Sequence, residues 1–281
     1  MTIVHFYLLF SAVAVLVLDV FYPIFKESYS WWVVPVLIFV IFITLAILQL
    51  LSLLIMILTA NLKKEPGKGE KFFRFLVKHS LPIIIGVAKV KIHTKGLEKV
   101  QGDDVKLFVC NHQHNFDPAI VYACFPDAKI SFIGKKEIIE EKPFFAKAMQ
   151  RLGGLFLDRD NDREAAKTIV KAIKYLKDGH NSIGLFPEGH RSADDELQPI
   201  RNGSLKIATK AKVPVVVCVI DKTKIISKRI FRRTSEIDFR VVDVIYPETF
   251  ENMTTSELGE IVTSKFREGL DEIRNSVDTN P

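Results

Sequence analysis

Cysteine is scarce in this 281-residue chain: Cys110, Cys124 and Cys218 each sit in an apolar run, and no two are closely spaced. That excludes a disulfide scaffold, and the lack of any CxxC spacing excludes a thiolate metal or redox site. Reduced thiols suit a cytosolic compartment. Charge is nearly missing from the N-terminal part. Residues 1–62 hold only Asp19, Lys26 and Glu27, and nothing charged lies between Trp31 and Leu62. The rest is ordinary and mildly basic, with 38 Lys and Arg against 31 Asp and Glu in residues 63–281. Glycine and proline, 14 and 12 residues, are too few for a collagen-like or low-complexity chain. There is no internal repeat and no RNA- or DNA-binding motif, so nucleic acid is not an expected partner.

The uncharged run from Trp31 to Leu62 would make a helix of roughly 48 Å at about 1.5 Å per residue, against a hydrocarbon core of about 30 Å. It can span with length to spare, and Trp31 and Trp32 read as interfacial anchors. A first apolar run, from Phe6 to Phe25, is interrupted only by Asp19 and Pro23 and reads as a second span or a re-entrant segment. A secretory signal is disfavoured, because the start lacks Lys or Arg and no small-residue cleavage site follows. Residues 1–62 are therefore expected to be a membrane anchor, a helical hairpin with its long helix over 31–62. Lys63, Lys64, Lys68, Lys71, Arg74 and Lys78 follow it, which places the large domain on the cytoplasmic side of an integral membrane protein. Residues 63–87 mix basic side chains with Phe72, Phe73, Phe75 and Leu76, so this segment suits either the headgroup region of anionic lipid or the core.

Beyond it, β-rich runs at 88–94, 105–110, 129–134, 182–187, 214–220 and 237–247 alternate with helical stretches. Residues 161–177 place Ala165, Ile169, Ala172, Ile173 and Leu176 on one face, with Gly179 as a stop, and 254–275 begins with a cap-like Thr-Thr-Ser-Glu-Leu. The pattern predicts an α/β domain over 88–275, a mostly parallel sheet flanked by helices, and a polar tail at 276–281. Active residues are expected where strands end.

Three polar clusters meet that expectation. After VKLFVC comes Asn111-His112-Gln113-His114-Asn115-Phe116-Asp117-Pro118, in which Asp117 can orient one ring nitrogen of His112 and leave the other to take a proton. Gly153-Gly154-Leu155-Phe156-Leu157-Asp158-Arg159 and Leu185-Phe186-Pro187-Glu188-Gly189-His190-Arg191-Ser192 each put a guanidinium after an apolar run, as a phosphate site requires.

In these residues the chain resembles the 1-acylglycerol-3-phosphate acyltransferases of the glycerophospholipid acyltransferase superfamily. The resemblance covers about 85–225 through four ordered motifs: NHQHNFD, GGLFLDR, LFPEGHRS and the proline run Val213-Pro214-Val215-Val216. It implies acyl transfer from acyl-CoA or acyl-carrier protein to the free hydroxyl of lysophosphatidic acid, giving phosphatidic acid, with no cofactor or metal. It makes His112 the general base and Asp117 its orienting partner. Arg159, Glu188, Gly189 and Arg191 would bind the glycerol phosphate, Lys135 and Lys136 would be further phosphate contacts, and Pro214 would belong to the substrate site. Membrane lipids are the other expected partner.

The chain departs from the family's usual pattern at His114 and His190, where smaller residues are common. The first adds a second base beside His112, and the second leaves another lysophospholipid or glycerol 3-phosphate open as acceptor. Two rival readings use the same residues differently. His112-x-His114 with Asp117 suggests a metal-dependent hydrolase, though Asp117 is one residue late for that pattern. A membrane scaffold would need all three clusters to be structural.

Overall fold

The structure is a computed structural model that describes residues 3–21, 32–64, 70–192 and 196–277. Trp31, the link carrying Pro23, Lys26 and Glu27, Lys68, and the tail beyond Val277 lie outside the described residues.

Three helices lead the chain: α1 (Ile3–Phe21), α2 (Val33–Leu58) and α3 (Lys71–Val87). The described part of the long helix is thus 26 residues, about 39 Å at 1.5 Å per residue, long and apolar enough to cross a bilayer. Most of its apolar side chains face outward, Phe39 at 63% exposure among them. It is held along two lines. The Tyr7 ring of α1 meets Phe42 edge-on at 6.5 Å, and the Tyr7 hydroxyl donates to Gln49 Oε1. Gln49 Nε2 then donates to Ser80 Oγ of α3 at 2.7 Å, so one buried amide joins all three helices. Further along, Leu53 and Ile57 pack on Phe73 and Leu76, which makes α2 and α3 antiparallel.

Within the 63–87 segment, α3 has one buried face and one exposed face. Phe73, Leu76 and Ser80 are buried, while Phe72, Phe75, Ile84 and Val87 are exposed. Arg74 turns inward and donates to Ser131 Oγ (3.1 Å), Asn181 Oδ1 (3.3 Å) and the Ile130 carbonyl (3.3 Å), fastening α3 to the domain.

The domain then runs β1 (Val90–Lys95), β2 (Leu107–Cys110), α4 (Asp117–Cys124), β3 (Ser131–Lys135), α5 (Ile138–Glu141), α6 (Pro143–Arg151), β4 (Leu155–Leu157), α7 (Asp162–Lys177) and β5 (Ile183–Leu185). After these come α8 (Lys206–Ala211), β6 (Val215–Asp221), α9 (Ile225–Arg229), β7 (Ser235–Ile245), α10 (Pro247–Phe250) and α11 (Thr255–Val277). The seven strands form one sheet in the order β1-β7-β6-β2-β5-β3-β4. Every neighbouring pair is parallel except β6 and β7, so the sheet is mostly parallel with β7 and β1 running against the rest.

Because both faces are covered, the central strands are apolar throughout. Leu107, Val109, Val215, Val217 and Val219 face a layer built from α7, α8 and α11. Phe108, Cys110, Val216, Cys218 and Ile220 face the layer containing α4, onto which Val77 and Leu81 of α3 also pack. The caps match their sequence signals: Asn161 accepts the Glu164 amide at the start of α7, and Thr254 and Glu257 cap α11 reciprocally.

Candidate active site

The end of β2 builds the site. Asn111 spans to β6, donating to the Ile220 carbonyl (2.9 Å) and accepting the Ile220 amide (2.8 Å). Two residues on, Gln113 Nε2 donates to Asp221 Oδ1 (2.8 Å) and Gln113 Oε1 accepts the Thr223 amide (3.3 Å). His112, between these two clamps, lines a cleft instead. Its Nδ1 lies 2.7 Å from Asp117 Oδ2, and the same oxygen accepts the amides of Gln113 and His114, each at 2.7 Å. Asp117 is fully buried as the first residue of α4, a helix start that suits a carboxylate, and Pro118 presets the first turn. With Nδ1–H donated to Asp117, the tautomer leaves the Nε2 lone pair free to accept a proton. The ring stacks on Phe186 at 4.3 Å, and Phe186 stacks on Phe132 at 6.0 Å, so its plane is fixed from below.

The cleft holds about 190 Å³, and its walls bring Lys135, Arg159, Gly189, His190 and Arg191 to the same space as His112. Lys142, from the loop between α5 and α6, joins them. Arg191 Nη1 is steadied by Asn115 Oδ1 at 3.1 Å, and Lys135 pairs with Glu141 at 2.6 Å. Among the described residues, no ion pair engages Arg159 or Lys142. Burial, and then the neighbouring Arg201, hold the Arg159 guanidinium below the usual arginine range; burial and Arg191 lower Lys142. Partly desolvated, unneutralised cations around one pocket make an anion site. Gly189 adopts φ +77°, and a Cβ there would sit 3.0 Å from Arg201 Nε, so its lack of a side chain lets Arg201 approach.

Three expectations change with the geometry. Glu188 is buried with both oxygens taken by amides, Oε1 by His112 (2.8 Å) and Oε2 by Gln198 (3.1 Å), so it clamps the His112 turn rather than facing a glycerol hydroxyl. Burial pushes its carboxyl up to about 7, against those two bonds. Lys136 turns outward to Asp158 at 2.8 Å and does not reach the cleft. Pro214 lies at the opposite end of the sheet. Its carbonyl takes the amide of Leu107, where β2 begins, and Cys218, four residues on, stands beside Cys110, about 13 Å along the strand.

His114 turns away from the cleft as well. It stacks on Phe116 at 5.4 Å, and burial lowers its pKa. The His-x-His pair therefore does not converge on one point, and among the described residues no three His, Cys, Asp or Glu side chains are grouped to hold a metal. The sequence alone gives Lys142, Asn115 and Arg201 no role of their own. Lys142 sits outside every motif, and Arg201 lies between the LFPEGHRS block and the proline run.

The family model described as "Acyltransferase" matches residues 91–221, a span that takes in His112, Asp117, Arg159, Arg191 and Pro214. The chain is 28% identical over 180 residues to a 1-acyl-sn-glycerol-3-phosphate acyltransferase of Saccharomyces cerevisiae, covering 62% of this chain and 57% of that protein. It is 33% identical over 114 residues to the Escherichia coli enzyme of that name, covering 40% and 46% respectively. The match thus spans about half the length of these curated relatives. The crystal structure of the 1-acyl-sn-glycerophosphate acyltransferase PlsC from Thermotoga maritima superposes with a TM-score of 0.57 at 26% identity, covering 73% of this chain and 84% of that one. The ordered motifs, the strand ends and the His112 cleft thus fall within or beside the span that matches the acyltransferase model, and over that span the chain is similar to 1-acyl-sn-glycerol-3-phosphate acyltransferases.

Proposed function

We propose that the chain transfers a fatty acyl group from acyl-CoA or acyl-carrier protein to the free hydroxyl of 1-acyl-sn-glycerol 3-phosphate, giving phosphatidic acid. The observation that carries this is a single cleft joining an Asp117-oriented His112 to Arg159, Arg191, Lys135 and Lys142. The cations hold the phosphate and so set the acceptor hydroxyl against His112. Nε2 takes the hydroxyl proton as the oxygen attacks the thioester carbonyl. The tetrahedral intermediate collapses with loss of the C–S bond, and the imidazolium returns the proton to the departing thiolate. Asp117 stabilises the imidazolium formed between these steps.

The relatives named above support the acceptor, and the basic residues following α2 support a domain on the cytoplasmic side of an integral membrane anchor. The same reading divides the chain into an anchor over 1–62, an interfacial segment over 63–87 and the acyltransferase domain over 88–275.

His190 on the cleft wall favours a second acceptor, another lysophospholipid or glycerol 3-phosphate. A thiol-release assay on purified protein in detergent, with a long-chain acyl-CoA and then acyl-carrier protein, compares lysophosphatidic acid, glycerol 3-phosphate and lysophosphatidylcholine. Release that requires lysophosphatidic acid and His112 is the expected result. Preference for another acceptor moves the substrate and points to His190, while no release with either donor sinks the acyltransferase reading.

A further inference from the structure

Between β6 and β7 the chain leaves the sheet on the same edge as the His112 turn, as Lys222 to Thr234. The stretch contains six Lys and Arg and no Asp or Glu. Two of these are accounted for within the domain: Lys222 pairs with Asp238 at 2.7 Å, and Lys224 is not exposed. Arg229 Nη1 leans on the Thr234 carbonyl. Lys228, Arg232 and Arg233 are exposed, and no ion pair among the described residues engages them. The carboxylates of β7 that face this edge are already engaged, Glu236 with Lys91 and His93, and Asp238 with Lys222. At the tip of the loop Phe231 is 63% exposed and is held at φ +63° by a turn in which the Arg232 and Arg233 amides donate to the Arg229 carbonyl. A bulky residue at positive φ is unusual, and here the ring stands outside the core.

The surroundings say what this surface meets. The Ser235 amide donates to the Lys89 carbonyl at 2.8 Å, which joins the loop to the end of α3. There Val87 (61% exposed) and Ile84 are bare, and Lys89 adds another exposed cation. Since α3 runs antiparallel to α2, this end of α3 points toward the half of α2 that carries outward-facing Phe39, Val40 and Ile43. Basic side chains around an exposed aromatic, continuous with the apolar helices, are the composition of a surface that rests in the headgroup region.

We propose that residues 227–233, with Val87 and Lys89, form a second membrane contact that seats Phe231 in an anionic lipid surface beside the catalytic turn. This contact is independent of the acyl-transfer reading.

Full-length protein carrying Phe231→Cys can be labelled with a polarity-sensitive fluorophore, because Cys110 and Cys218 are buried and burial pushes the Cys124 thiol up to about 12. The labelled protein is reconstituted into vesicles of phosphatidylcholine, with or without phosphatidylglycerol, containing nitroxide-bearing lipid. The expected result is blue-shifted emission and nitroxide quenching in the anionic vesicles. Lys228→Gln, Arg232→Gln and Arg233→Gln should each lower the docked-to-free ratio, by roughly five-fold per charge removed. A label on Lys210→Cys, an exposed position of α8 near the start of β6, should stay in water in both vesicle types.

A Phe231→Cys label that remains in water in both compositions overturns the proposal, as does equal quenching at position 210. Protection that appears only when an acidic acyl-carrier protein is added also overturns it and assigns the surface to a protein partner.

Discussion

One oxygen of Asp117 carries the whole His112 turn: Oδ2 receives the His112 ring and the amides of Gln113 and His114, all at 2.7 Å. Asp117→Asn keeps the size but removes the charge that stabilises the imidazolium and selects its tautomer. The rate of thiol release should fall by about 10²- to 10⁴-fold, and His112→Ala should do at least as much. Membrane insertion should be unchanged in both, and an Asp117→Asn protein that turns over at the normal rate would remove Asp117 from the mechanism.

Arg159 and Arg191 stand on the cleft wall rather than beside the reacting proton. Each charge-assisted bond to a phosphate is worth about 1.5–3 kcal/mol. Arg159→Ala or Arg191→Ala should therefore raise KM for the lysophosphatidate by about 10- to 100-fold, with a smaller effect on kcat. Asn115→Ala, which only frees Arg191, should shift KM in the same direction by less. Steady-state kinetics with varied acceptor decide this, and an unchanged KM in the arginine variants places the phosphate elsewhere.

Glu188 makes stability depend on pH with an inverted sign. Burial raises its carboxyl to about 7 in the folded chain, whereas an unfolded glutamate titrates near 4.3. The folded chain holds this proton more tightly, so stability is lost as pH rises from about 4.3 to about 7, by at most about 1.4 kcal/mol per unit, and changes no further above that. Glu188→Gln lacks this component. Thermal midpoints in detergent should therefore show the variant gaining on the wild type between pH 4.5 and 7, with parallel curves above; parallel curves throughout would contradict the assignment.

Gly189→Ala tests the turn from the backbone side. A side chain at φ +77° costs about 1–2 kcal/mol in itself, and the added carbon presses on Arg201. Reduced stability together with a raised KM is expected. Loss of stability with unaltered kinetics would mean that Arg201 takes no part in holding substrate.

Gln49→Leu removes the amide that receives Tyr7 and donates to Ser80. Two hydroxyls then lose their partner inside an apolar bundle, a change worth about 0.6–2 kcal/mol in such surroundings. The detergent-solubilised variant should unfold at lower temperature while retaining its turnover below that point. Tyr7→Phe should lose less, since Gln49 keeps Ser80.

Much of this architecture can be read from local pattern. The helix expected over 161–177 is α7 at 162–177, and the β-rich runs lie on β1, β2, β3, β5, β6 and β7, because period and capping are properties of neighbouring residues. β4 shows only as the apolar run before Asp158, three residues being too few for an alternation. The reversed direction of β7 has no sequence signal, since a strand pairs the same side chains to its faces whichever way it runs. The clamps at Asn111 and Gln113 reach residues more than a hundred positions away, and Glu188 could be assigned a partner only once the His112 amide lay beside it. Pro214 shows the converse, since a place in an ordered motif does not carry a residue to the same end of the sheet, and Lys136, which is at the right end beside Lys135, points its side chain away to Asp158.

The paired clamps at Asn111 and Gln113 have a further effect, on the cost of each encounter with substrate. With the residues before and after it bonded to β6, and its own amide bonded to Glu188, the His112 backbone loses its freedom when the sheet forms. Arg191 is joined to the same turn, because the Ser192 amide donates to the His112 carbonyl at 2.9 Å, while its guanidinium leans on Asn115 Oδ1. The proton acceptor is thus a fixed landmark, ordered once during folding, and binding has only to restrict the substrate and the long cationic side chains around it.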